Sequence, residues 1–379
     1  MNEAKMTEFL DSLVNKGIPF GDCMVFENHQ PVYRHMFGYV DEAKTKPVSD
    51  NQLYIMFSMT KVQTMTAVMQ LVEQGRISLD DEVGKYLPAY SNLLVEEQSG
   101  SEIKCVPSKT PLLMRHLVSM QSGLDYDLER PGILRVLKEK GNKATTRELV
   151  DSFVETPLKF HPGTHFQYSL SHDVAAAVVE AVSGMKFGDY LKKNIWDPLK
   201  MKDTRFAKPF NEDDPRVALQ YIVDGETGVT KLMDQSCNYQ LSEAYQSGGA
   251  GLISSTYDYS LFGEAMAAGG ISRDGVRIIN PETIEIMKTN LLSDISREEI
   301  KNNMGRLGYG YGCGVQVLME PELLNSKAPV GVFGWDGAAG SLIMMDTVNK
   351  LSLVFTMQVR NCGEAYGYAH PGLRELLYD

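Results

Sequence analysis

The stretch that most constrains this chain runs from Leu53 to Arg76. Leu53-Tyr54-Ile55-Met56-Phe57 is an apolar run of strand length that delivers Ser58 to a segment in which Val62, Met65, Met69 and Val72 recur at intervals of three and four. Ala67, Val68 and Leu71 fill the flanks, and Gly75 ends the pattern. A helix apolar over so much of its surface has to be surrounded by protein, so it is expected at the centre of the fold, its methionines serving as packing. Lys61 follows Ser58 by three residues, one turn along the same face. A serine hydroxyl attacks poorly until a neighbour takes its proton, so the pair suits a nucleophile and its activator. An N-capping serine beside a solvated lysine would be written with the same letters. The rest of the chain has to separate the two.

At 379 residues the chain is longer than the roughly 250 to 300 at which one core stops growing, so two lobes are expected, with the site at their shared interface. A net charge of -12 and the lack of any Lys/Arg block disfavour nucleic acid and anionic membrane as partners, which leaves a small molecule. The N-terminal Met1 to Asn15 has charges on both sides of Phe9-Leu10 and reads as an amphipathic helix, neither signal peptide nor anchor. No apolar run approaches the ~18 residues that a membrane span needs. Cys23, Cys105, Cys237, Cys313 and Cys362 are odd in number and far apart, so reduced thiols and a cytoplasmic location are expected.

Along the chain, Cys23 to Phe26 and Pro31 to Tyr39 read as a strand pair around a polar turn. From Ile77 to about Tyr245 helical patterns dominate, the clearest being Val174 to Val182, closed by Ser183-Gly184. After Ser247-Gly248-Gly249-Ala250-Gly251 come one or two helices, near Tyr257 to Ala268 and Pro281 to Thr289, and then strands. Tyr309 to Val317 reads as one strand whose glycines admit a close neighbour. Ser341 to Asp346 and Leu351 to Gln358 read as a hairpin, and Leu373 to Tyr378 as a closing helix. The expected fold class is α+β: an antiparallel sheet flanked by helices, built from residues 1–76 and 246–379, with residues 77–245 forming a mostly helical lobe.

Ser-x-x-Lys occurs three times, at Ser58/Lys61, Ser101/Lys104 and Ser183/Lys186. Ser101 falls in the polar stretch Glu96 to Lys104, read as a loop, and Ser183 ends a helix. Only Ser58 opens a long helix, whose N-terminal amides favour an anion. A desolvated lysine can take the serine proton itself or hold a tyrosine as phenolate, so a tyrosine partner is sought.

Several ordered segments then carry a resemblance. They are Ser58-Met59-Thr60-Lys61, Lys85-Tyr86-Leu87-Pro88, His116 to Leu124, Phe160 to Ser169, Pro198 to Thr204 and Gly248 to Leu252. With them the chain resembles the serine β-lactamase and penicillin-binding-protein superfamily, in the class C-like branch that also holds esterases, D-amino-acid peptidases and amide hydrolases. The resemblance covers most of the chain. It implies the β-lactamase/transpeptidase fold, Ser58 as nucleophile and Lys61 as its activator. The family's second motif is Tyr-x-Asn. The literal Tyr90-Ser91-Asn92 lacks the preceding Pro-Gly turn, whereas Tyr168 follows Pro162-Gly163 and precedes the Val174 helix. Tyr168 is therefore the implied proton carrier, and Leu170 stands where an asparagine would read a substrate amide.

The family's third motif, Lys-Thr-Gly or His-x-Gly, precedes a strand hairpin. His161-Pro162-Gly163 and His370-Pro371-Gly372 match in letters, but Gly334-Trp335-Asp336-Gly337-Ala338 holds the right place and resembles the Trp-x-Gly of the family's esterases. Trp335 and Gly337 are then substrate-binding, Trp335 standing where a cation would meet a carboxylate. The backbone amides of Ser58 and Ala338 are the implied oxyanion donors. Tyr126, after Gly123-Leu124, is a further candidate for the pocket.

His161, His165 and His172 do not make a metal site, because Pro162-Gly163 breaks the helix that a His-x-x-x-His pair needs. The glycine runs lack phosphate-loop spacing. No metal or cofactor is expected. The expected substrate is a small ester, amide or lactam, with an esterase-type acyl-enzyme reaction ahead of a β-lactamase or D,D-carboxypeptidase/D-aminopeptidase. A ligand-binding scaffold without turnover is the reading of another class.

Overall fold

The order of strands in the largest sheet brings the two ends of the sequence together. In the computed structural model, which describes residues 1–100, 102–209, 212–234 and 237–379, helix α1 (Glu3–Ser12) leads into strands β1 (Phe20–Glu27) and β2 (Gln30–Gly38). Strand β3 (Leu53–Ile55) and a single 3-10 turn, Phe57–Met59, then feed α2 (Thr60–Glu73). Strands β4 (Leu94–Ser99) and β5 (Glu102–Pro107) precede α3 (Met114–Val118), α4 (Pro131–Lys140), α5 (Thr146–Ser152) and α6 (Ser171–Ser183). Next come α7 (Phe187–Leu191), α8 (Asp197–Leu199) and the short strands β6 (Arg205–Phe206), β7 (Tyr221–Val223) and β8 (Thr230–Leu232). Strand β9 (Leu252–Ser255) opens the last part, followed by α9 (Thr256–Ala267), α10 (Pro281–Met287) and α11 (Asp294–Met304). Strands β10 (Tyr309–Tyr311), β11 (Gln316–Leu318), β12 (Phe333–Asp336), β13 (Leu342–Asp346), β14 (Leu351–Thr356) and β15 (Val359–Arg360) end at α12 (His370–Leu377).

Seven strands form an antiparallel sheet in the order β10-β11-β12-β13-β14-β1-β2. Val25 faces Leu353 and Val354 faces Met24, so a hydrophobic register joins the first hairpin to the last. The β1–β2 turn has two residues, Asn28 and His29, with φ of 45° and 69°, the geometry that matches the twist of paired strands. Helix α9 packs on β1, β13 and β14, while α2 lies against α6 and touches β12. Residues Thr60 to Leu71 of α2 are all buried, as its periodicity requires. No described helix is long and apolar enough to cross a membrane.

Four sequence expectations change. The Tyr309 to Val317 strand is two strands, because Gly314 has φ 71° and turns the chain at Gly312-Cys313-Gly314. A Cβ on Gly314 would lie 2.2 Å from the side chain of Met65, so this turn is pressed onto α2. The polar stretch read as a loop is paired as strands β4 and β5, with Glu97 opposite Lys104 in register while its carboxylate pairs with Lys109 and His161. A third helix, α11, is present where one or two were expected. Among the described residues the 77–245 stretch carries five strands beside its six α-helices, and two of the strands pair outside it, β6 with β9 and β7 with β15. Ser101 of the second Ser-x-x-Lys pair lies outside the described residues.

Candidate active site

Ser58 sits in the 3-10 turn between β3 and α2, two residues before the helix proper begins at Thr60. Phe57 before it has φ 45°, a left-handed conformation that a bulky residue adopts only when its surroundings hold it there. They do: Arg360 lies 4.9 Å over its ring and Tyr239 meets it edge-on at 5.8 Å. The turn brings the serine hydroxyl into a cleft of about 400 Å³, which Tyr168, Trp335 and Ala338 also line.

Lys61 is fully buried behind Ser58. Its ammonium donates to Ser58 Oγ at 3.3 Å, to Tyr126 Oη at 3.4 Å and to the Gly249 carbonyl at 2.7 Å. It has no ion pair among the described residues. Burial lowers its pKa to about 7, against the partial restoring charge of Asp173 and Asp336. Asp173 is itself buried on α6, where one carboxylate oxygen takes Tyr245 Oη at 2.7 Å, Ser247 Oγ at 2.6 Å and the Gly249 amide at 3.3 Å. It thus holds the glycine loop whose carbonyl receives Lys61. A Cβ on Gly249 would come within 2.5 Å of Asp173 Oδ2, so only glycine fits between them.

Tyr168 stacks between Tyr126, at 5.8 Å, and Trp335, at 5.7 Å. The Lys61 ammonium lies 4.6 Å above its ring centre, while its hydroxyl oxygen accepts from Trp335 Nε1 at 3.0 Å. Burial pushes the phenol above its ordinary range, with the Ser58 and Trp335 contacts pulling the other way. The lysine thus faces the ring rather than the oxygen, and the phenol keeps its proton.

Ala338 follows β12 at the mouth of the cleft, and neither its amide nor that of Ser58 has a hydrogen-bond partner among the described residues. Gly337 does not line the cleft. Its amide donates to Ser341 O at 2.8 Å, and an added Cβ would meet Met56 O at 2.5 Å, so it lets β12 press against the segment before Ser58. Tyr126 likewise stands behind the cleft wall, against Lys61 and Tyr168. Leu170 is buried at the start of α6 and does not reach the cleft.

The remaining candidates lie apart. Tyr90 Oη donates to Val150 O at 2.7 Å, and Ser183 Oγ accepts from the Met185 amide at 3.1 Å. His161 pairs with Glu97, His165 with Glu299, and buried His172 contacts Val118 O, so the three share no centre. His370 contacts Gly340 O at 2.8 Å.

Sequence reasoning missed Arg306 and Asp336, which line the cleft and form an ion pair with each other. It missed Asn303 and Met304 at the end of α11, and Asp173 behind Lys61. Asp336 lay inside the quoted Trp335-Asp336-Gly337 segment; nothing local marks Arg306.

A family model described as Beta-lactamase matches residues 5–374. The acyltransferase calJ of Penicillium decumbens is 28% identical over 351 residues, covering 86% of this chain and 81% of that protein. Esterase EstB of Burkholderia gladioli is 26% identical over 379 residues, covering 93% and 89%. The solved structure of EstCE1, described as a hydrolase with promiscuous acyltransferase activity, superposes with a TM-score of 0.79 at 23% identity, over 99% of this chain and 98% of that one. That likeness establishes the fold: a sheet joining both ends of the chain, with helices packed on it. With the family match running over nearly the whole sequence, the chain belongs to the beta-lactamase family of serine hydrolases.

Proposed function

We propose that this protein cleaves a small ester, or less readily an amide, through an acyl-enzyme on Ser58. The observation that carries the reading is Lys61: fully buried, without an ion pair among the described residues, held to about 7 and 3.3 Å from the serine oxygen. A lysine with that pKa is substantially neutral at neutral pH and can accept the Ser58 proton as Oγ attacks the substrate carbonyl. The developing oxyanion is received by the free amides of Ser58 and Ala338, each such donor being worth roughly 2.7 to 4 kcal/mol. Tyr168 stays protonated, and because Trp335 Nε1 already donates to its oxygen, its own O–H is free to give a proton to the leaving alkoxide. Lys61, now an ammonium, replaces the proton on Tyr168 by way of water, since its Nζ lies over the ring and makes no direct hydrogen bond to the phenol oxygen. Water then attacks the acyl-enzyme with Lys61 again as base, which releases the acid and restores Ser58.

An ester is favoured because the cleft wall is aromatic and because Leu170, buried in the core, offers no donor to a substrate amide at that position. The names of two relatives, an esterase and an acyltransferase, point the same way. Turnover of β-lactams or D-peptides needs a cation for the substrate carboxylate, and the charge of Arg306 is already matched by Asp336.

Incubation with a fluorophosphonate should add one adduct mass to the intact protein at Ser58, and p-nitrophenyl esters should be turned over by the wild type and not by Ser58→Ala. Folded protein that stays unlabelled refutes the reading. Nitrocefin turnover without ester turnover would replace it with a β-lactamase.

A further inference from the structure

Arg306 is the second cation of the cleft. It follows α11 and Gly305, whose φ of 68° ends that helix, and its guanidinium lies 5.1 Å over the Trp335 ring. A guanidinium carries five N–H donors. Nη2 donates to Asp336 Oδ2, while Nε is buried without a partner and Nη1 makes no hydrogen bond among the described residues. The neighbours that could have used them are engaged elsewhere: Glu320 by Arg297 at 2.6 Å, Tyr309 Oη by Arg374 at 2.8 Å, and Tyr366 Oη with Gly337 O at 2.9 Å. Asp336 Oδ1 also accepts no hydrogen bond among the described residues. The cleft wall therefore offers an unused donor, Nη1, and an unused acceptor, Oδ1, on one ion pair whose net charge is zero. An anionic ligand would gain Arg306 but meet the Asp336 carboxylate in the same place. A purely apolar ligand would leave both groups without water or partner, which buried polar groups do not tolerate. The group that uses both at once is neutral and presents an acceptor and a donor on one edge, as a primary carboxamide does and a trans secondary amide, whose C=O and N–H point in opposite directions, does not.

Given the Ser58 reading above, we propose that Arg306 and Asp336 together recognise a primary carboxamide on the substrate, its carbonyl oxygen accepting from Arg306 and its syn N–H donating to Asp336. The preferred substrates are then esters whose acyl part ends in a primary carboxamide a few bonds from the scissile carbonyl. The amide serves as a handle and is not cleaved. Neither residue belongs to the serine, lysine and tyrosine machinery; they determine specificity.

The test uses p-nitrophenyl esters of three acids of equal length: one ending in a primary carboxamide, one all-alkyl and one ending in a carboxylate. The wild type should prefer the amide ester over the alkyl ester by about 10-fold or more in kcat/KM. In the double variant Arg306→Met with Asp336→Leu, which replaces the pair by apolar groups and leaves no lone charge, that ratio should collapse to near one. Fluorophosphonate labelling of Ser58 in the variant confirms that the site is still assembled, and the ratio cancels any general loss of rate. Parity between amide and alkyl esters in the wild type, a preference for the carboxylate ester, or an amide preference that survives in the double variant overturns the proposal while leaving the hydrolase reading intact. Wild-type protein that is neither labelled nor active on any of the three removes both.

Discussion

The cleft holds two buried cations, and they are treated in opposite ways. Arg306 has a carboxylate in contact and an aromatic ring beneath it; burial works against its charge, Asp336 more than offsets this, and its pKa is raised. Lys61 is more enclosed still but has only neutral oxygens in hydrogen-bond contact, and the Asp173 carboxylate reaches it through the Gly249 loop rather than directly. One cation is therefore fixed as a charge and the other is left able to lose its proton. Burial alone does not make a base; burial with the counter-ion kept one residue away does.

Making Lys61 resemble Arg306 should have the largest effect. Lys61→Arg puts a group that does not deprotonate beside Ser58, and ester turnover should fall by about 10³-fold, within the range for loss of a general base. A variant retaining more than a tenth of wild-type kcat/KM would show that another group takes the serine proton. The same substitution site tests what the arrangement costs. The folded pKa of Lys61 is about 7 against a reference value of 10.5, so the unfolded chain binds the extra proton between those values and stability rises with pH across that window. Below pH 7 the full penalty applies, on the order of 5 kcal/mol at about 1.36 kcal/mol per unit. Lys61→Met should accordingly raise the melting temperature at pH 6 and progressively less at pH 8 and 9. A melting temperature that falls equally at all three would mean that the lysine is stabilising where it sits.

The smallest expected effect concerns Asp173. Asp173→Asn keeps the shape of the residue that braces Ser247 and Gly249 but removes the anion that partly restores Lys61, so the acid limb of the kcat/KM profile should move to lower pH. If Asp173 only holds the loop, kcat falls and the limb stays where it was. Asp336 also raises the Lys61 pKa, so its neutralisation should move the limb in the same direction.

What could be seen in the sequence was what is encoded locally. The three-and-four repeat from Val62 to Val72 fixed a buried helix, and Ser58, Lys61, Tyr168 and Trp335 each sit in a short segment with its own pattern; all four meet at one cleft or just behind it. Arg306 and Asp173 have no such signal, because their significance is created by partners far away in the chain, Asp336 for one and Gly249 for the other. The same holds for the fold. The hairpin of β4 and β5 is exposed and polar, so it lacks the alternation that reveals a half-buried strand. Strands β6 and β15 are two residues long and exist only because a neighbour pairs with them. The split between β10 and β11 follows from Met65 pressing on Gly314, a contact between residues on different elements.

The most direct test is the pH dependence of Ser58 labelling itself, measured as the second-order rate of fluorophosphonate modification from pH 5.5 to 9.5 with the adduct located by mass. The account predicts a single limb rising through about pH 7, where Lys61 loses its proton. A rate that is flat across the range, or that begins to rise only near the pH where an ordinary lysine or phenol ionises, would contradict it.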